Sequence, residues 1–155
     1  MKICKFAVAP IGLLAGQALA QSSIADYVAH DVYIGRFDSG YGVSEVYQDL
    51  NQPYNADGGF IAAAITGSVP SAEFYNHFVP ASDRVPPTNG DLMPTHFDEL
   101  ILIDCDKRLA KAGHAVYYNA ENQWVADHDY GGAAYPITAN SVDFVVAQKI
   151  CGAAR

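Results

Sequence analysis

The chain is short of positive charge, of cysteine and of long apolar runs, and each shortage narrows what it can be. Nine Lys and Arg stand against 17 Asp and Glu, for a formal charge of −8. So acidic a surface repels phosphate backbones and anionic lipid, which argues against nucleic-acid partners and against adsorption to an acidic membrane. Its simplest consequence is solubility. No stretch reaches the ~20 consecutive apolar residues that a spanning helix needs. Several catalytic signatures are also missing. There is no Gly-x-Ser-x-Gly elbow and no pair of histidines four apart with a glutamate between them, while Gly58, Gly59, Gly131 and Gly132 lack the spacing of a phosphate cradle. No internal repeat or low-complexity tract is visible.

What is present begins with an address label. Met1-Lys2-Ile3-Cys4-Lys5 is a short basic start, Phe6 to Gly16 is an uncharged apolar run, and Ala18-Leu19-Ala20 fits the small-x-small pattern of a cleavage site. The expectation is a cleaved signal peptide over residues 1–20, followed by one domain over 21–155. The run is too short for a membrane anchor, and Gln17, Pro10 and Gly12 weaken it further. A bacterial lipoprotein needs cysteine at its first mature position. Gln21 occupies that place, so no membrane anchor is expected after cleavage. The product is expected in the periplasm or the medium, with the cell surface as a further destination.

Cys4 leaves with the label, and Cys105 and Cys151 remain. An even pair in an exported chain most often forms a disulfide; two free thiols or a metal pair are the alternatives. Such a bridge would contribute roughly 4 kcal/mol by restricting the unfolded chain, a large part of a usual net stability of ~5–15 kcal/mol.

Period-two alternation from Val28 to Ile34 suggests a strand, and Asp38 to Gly42 a turn. Val43 to Leu50 fits a strand or a short helix. Asn51 to Gly59 reads as a loop or hairpin connection, Phe60 to Thr66 as a buried strand with helix as the alternative, and aromatic-rich Ser71 to Val79 as a further strand. Pro80 to Pro94, with four prolines, reads as a long surface loop. Phe97 to Leu109 reads as a long strand, apolar on both faces early on and hence central, with Gly113 in the turn after it. Ala115 to Tyr118 and Gln123 to Ala126 form a hairpin around Asn119 to Asn122. Asn140 or Ser141 caps a final helix, whose Val142, Val146 and Ile150 recur at steps of four and face the core, with Val145 beside them. Gly152 ends it. The fold expected is α+β: an antiparallel sheet of about five or six strands with a C-terminal helix packed on it, linked by the disulfide.

Five histidines invite a metal reading, and Asp127-His128-Asp129 is their densest setting. Adjacent residues on a loop can chelate an ion, but a solvated polar turn beside Gly131 explains them more simply, since structural zinc needs four ligands. Asp104 and Asp106 read as a charged strand end rather than an acid–base pair. No catalytic residue and no cofactor is expected. All ten tyrosines lie after the label, and tyrosine is enriched in interfaces. Tyr41, Tyr47 and Tyr54, near expected loops, are candidate binding residues, although tyrosines also pack the edges of small sheets.

From Ile101 to Gly152 the chain resembles the bacterial surface-adhesin protein E family. The residues that carry the likeness are Ile103-Asp104-Cys105-Asp106-Lys107-Arg108, Tyr117 to Asn122, Tyr135-Pro136-Ile137, Asn140-Ser141 and Ile150-Cys151-Gly152. The resemblance implies a sheet joined to its last helix by a disulfide, no enzyme activity, and contact with a protein or extracellular-matrix partner at a cell surface. Two features depart from the family. Its adhesive members are lipid-anchored, whereas this chain has no acceptor cysteine, and residues 21–96 show none of its motifs. The expected function is thus an exported, non-enzymatic binding protein. A small periplasmic enzyme or metal- or ligand-binding protein, and an oligomeric structural envelope protein, are the alternatives.

Overall fold

A computed structural model describes residues 31–49, 54–84 and 93–152. The address label, the alternation at Val28 to His30, Asn51 to Pro53 and most of the proline-rich stretch lie outside the described residues.

One antiparallel sheet organises the chain. Its main path runs β1 (Val32–Asp38), β2 (Val43–Gln48), β4 (Ile61–Ser68), β5 (His96–Asp104), β6 (Leu109–Tyr118) and β7 (Trp124–Asp129). Two short strands extend it: β3 (Tyr54–Asn55) pairs with β4, and β8 (Tyr135–Pro136) pairs with β6. Helices α1 (Ala72–Phe78) and α2 (Val142–Gly152), with short 3-10 turns at Asp57–Gly59 and Ala81–Asp83, complete the described elements. This is the expected α+β architecture, with β5 central as its two apolar faces require.

Strand alternation divides the sheet into two faces. Val46, Ile65, Phe97, Ile101, Ile103 and Tyr117 point to the side that carries the core, where Phe74 and Tyr75 of α1 and Val146 and Ile150 of α2 cover them. The small residues in β4 and β6 let large ones approach. A Cβ on Gly67 would lie 2.4 Å from the Phe97 ring, so the glycine makes room for that ring. Gly113 sits where β6 slips register against β5, and a Cβ there would meet the Leu100 carbonyl oxygen at 2.6 Å. It is a bulge residue inside β6, not the turn residue expected. The turn is Cys105 to Arg108, so the long strand ends at Asp104. Asp104 makes that turn, accepting bonds from the Lys107 backbone N–H at 3.0 Å and from Lys107 Nζ at 2.9 Å.

The second correction concerns Ser71 to Val79, which is a helix and not a strand. Ser71 Oγ accepts from the Phe74 N–H at 3.1 Å, capping α1. Phe74, Tyr75 and Phe78 then fall on one side of the helix. Arg84 holds its far end, donating from Nε to the Val79 carbonyl at 3.0 Å and from a terminal nitrogen to Asn76 Oδ1 at 2.7 Å, with its guanidinium over the Tyr75 ring. The β propensity of Phe and Tyr is a weaker force than this cap and the burial of three rings.

α2 keeps to expectation. Ser141, not Asn140, is its cap, accepting from the Phe144 N–H at 3.1 Å. Val146 and Ile150 are buried with Val142 packed beside them, while Val145 lies off the core cluster. Cys105 and Cys151, 46 residues apart, are joined, with their Cα atoms at 5.6 Å. The bridge ties the end of α2 to the end of β5.

Candidate functional site: an aromatic cavity with two carboxyls

The core is not filled completely. A cavity of about 450 Å³ opens between the inner face of the sheet and the two helices. That is the size of a small-molecule site. Phe37 of β1, Val46 of β2, Ile65 of β4, Phe97 and Ile101 of β5, and Phe74 and Phe78 of α1 give it apolar walls. The rings support one another: Phe74 lies 5.9 Å from Phe97 and 4.7 Å from Phe78, and Phe97 lies 5.6 Å from Tyr117, centroid to centroid.

Polar groups converge on this apolar space. Ser44, only 5% exposed, lines it from β2, and its Oγ has no hydrogen-bond partner among the described residues. Tyr117 of β6 and Tyr130, just past β7, bring their hydroxyls within 3.0 Å of each other. Tyr135 of β8, Glu99 of β5 and Asp143 of α2 complete the polar lining.

The electrostatics follow from burial. Glu99 is pushed up to about 7, first by desolvation and then by the nearby Asp143 carboxylate. Burial also raises Asp143, against a hydrogen bond from Tyr135 that works the other way. Asp143 stands in the first turn of α2, where a negative charge suits the helix dipole, and it also lines the cavity. Burial raises all three tyrosines, Tyr130 to about 12, so their hydroxyls stay protonated near neutrality and act as donors. Among the lining residues there is no Lys, Arg or His.

The candidates named from sequence lie elsewhere. Tyr41 stacks on His77 at 4.4 Å and meets the edge of Phe78, at the end of α1. Tyr47 packs against Tyr33 across the β1–β2 pair at 5.3 Å. The side chain of Tyr54 lies outside the described residues; its backbone pairs with Ala62. Tyr41 and Tyr47 therefore belong to separate clusters. Asp127, His128 and Asp129 are on β7, not on the loop expected, and alternation sends His128 to one face and the two aspartates to the other. His128 Nδ1 sits 2.6 Å from Asp83 Oδ2, and Asp127 Oδ2 sits 3.6 Å from His114 Nε2. Among the described residues no group of three or more His, Cys, Asp or Glu is placed to hold a metal ion.

Sequence reasoning missed every residue of the cavity. Their signal was faint but present: Glu99 stands between Phe97 and Ile101 on the inner face of its strand, and an acidic residue among buried apolar ones is either paired or functional. No family model, curated protein or solved structure matches the chain. The site and its fold therefore stand on their own geometry.

Proposed function

We propose that this is an exported, non-catalytic binding protein that holds one small, largely apolar molecule in the cavity between sheet and helices. The observation that carries the reading is Ser44. A buried hydroxyl without a partner costs about 1–3 kcal/mol, and here it lines a ligand-sized space. A bound molecule offering a hydrogen-bonding group would relieve that cost. The tyrosine hydroxyls, protonated at neutrality and raised further by burial, are suited to hydrogen bonding rather than to nucleophilic chemistry. Export is supported by the address label and by a disulfide, which persists in oxidising compartments. None of the described helices is long and apolar enough to cross a membrane.

The test is titration with N-phenyl-1-naphthylamine, a neutral dye that brightens in apolar surroundings. One dye per chain should bind, and Ala112→Phe, which fills the cavity, should abolish the signal while thermal unfolding stays cooperative. Dye binding that survives Ala112→Phe contradicts the reading.

A second reading follows the resemblance to the surface-adhesin protein E family: contact with a protein or matrix partner through exposed rings. Trp124 and Tyr33 favour it, with 52% and 50% of their surfaces open to solvent. Crosslinking in the native host, compared between wild type and a Trp124→Ser/Tyr33→Ser variant, tests it; partner capture unaffected by both substitutions tells against it.

A further inference from the structure

We infer that the cavity selects an organic monocation, an amine whose ammonium group sits at the carboxyls of Glu99 and Asp143 while its apolar body lies among the rings. This rests on the ligand-binding reading and adds to it the charge of the ligand.

The two carboxyls reach the cavity from different elements, β5 and α2, and no basic side chain of the lining offsets them. No described residue donates a hydrogen bond to Glu99; burial and the Asp143 carboxylate are what act on it. The other polar groups facing the pair are the hydroxyls of Ser44, Tyr117, Tyr130 and Tyr135. His128, beside Tyr130, is engaged by Asp83 and does not line the space. Negative charge is thus placed in a largely apolar space, with no counter-ion among the described residues that line it. A proton can neutralise it, and so can a ligand cation. The rings of Phe74, Phe97 and Tyr117, which line the space, can add cation–π attraction for an ammonium. The Ser44 hydroxyl, without a partner among the described residues, can accept an N–H. A ligand carboxylate would instead add a further negative charge, so fatty acids and similar anions are excluded.

Proton balance follows. Below neutrality Glu99 holds a proton, and the incoming ammonium displaces it to solvent; above neutrality the site is already ionised. Raising the pH from 6 to 8 should tighten amine binding about tenfold, the change in ionised fraction of a group titrating at about 7.

The experiment compares three probes of one skeleton by calorimetry on the disulfide-bonded protein: 4-phenylbutylamine, 4-phenylbutan-1-ol and 4-phenylbutanoate. The expected order at pH 8 is amine at least tenfold tighter than alcohol, and alcohol at least tenfold tighter than carboxylate. Only the amine should tighten between pH 6 and 8, with proton release at pH 6 read from buffers of different ionisation enthalpy. Glu99→Gln and Asp143→Asn should each remove most of the amine's advantage and leave alcohol binding in place. If the neutral dye enters but the amine gains nothing over the alcohol, or keeps its advantage in both variants, the inference fails while the binding reading stands. If neither the dye nor any of the three probes binds, both fail.

Discussion

Two side chains carry opposite lessons about burying polarity. Gln48 is fully buried on the inner face of β2, and neither end of its amide has a partner among the described residues. It does not line the cavity, so no ligand can satisfy it there. Gln48→Met keeps the shape and removes the unpaired amide. We expect it to raise unfolding free energy by about 1–2 kcal/mol in urea titration; a loss would show that the amide has a partner. Glu99, by contrast, lines the cavity, and its burial is felt in the pH profile. Its folded value of about 7 lies above its ordinary 4.5. Ionising it therefore opposes folding. The stability it contributes is complete below about pH 4.5, falls as pH rises through 7, and is gone above. The range is on the order of 3 kcal/mol. Asp83 and Asp104 act in the other direction, since hydrogen bonds hold both below the usual carboxylate range. Their contribution is lost in stronger acid. Burial holds His96 below the usual imidazole range, so its contribution runs the other way in this window. Without ligand, the unfolding temperature of Glu99→Gln should therefore fall less, or rise more, from pH 5 to pH 8 than that of the wild type, and equal pH trends would contradict the role given to Glu99.

At the scale of elements, α1 decides whether the cavity has a wall. It has only seven residues, too short to be stable alone, and it is held by Ser71 at one end and Arg84 at the other. Ser71→Ala should cost about 1 kcal/mol of global stability. Because Phe74 and Phe78 ride on this helix, dye affinity should fall with it; unchanged affinity would mean that α1 does not form the wall. The disulfide acts on the other helix. Its 46-residue span makes reduction worth about 4 kcal/mol in the chain-entropy account. Chemical denaturation with and without reductant should show that drop, and Cys151→Ala should reproduce it.

These elements were unevenly legible. α2 and its bridge could be read because three signals coincide there: a cap, an apolar stripe at steps of four and a cysteine at the end. β5 was legible as central because both of its faces are apolar. α1 was not, because its aromatics favour strands locally and only the Ser71 cap and the burial of one face reverse that. Gly113 was misplaced for a similar reason. A glycine between two apolar runs looks like a turn, and only the close approach of the Leu100 carbonyl shows it to be a bulge.

At the scale of the molecule, the cavity is a property no single segment holds. Ser44, Phe74, Glu99, Tyr117, Tyr130, Tyr135 and Asp143 come from seven places along the chain, and the antiparallel order of the sheet and the packing of both helices on it bring them together. Their spacing in sequence carries no pattern, which is why tyrosines near loops drew attention instead. The molecule is acidic in composition, stapled at its last helix, and open between its sheet and its helices.

The central claim is that this interior space receives a ligand. Methyl NMR of the protein during titration with 4-phenylbutylamine addresses it most directly. The methyls of Val46, Ile65, Ile101 and Val142, which line the cavity, should shift and show contacts to the probe, while those of Val43 and Val116 should stay in place. Shifts confined to Val43 and Val116, or no shift at saturating probe, would contradict it.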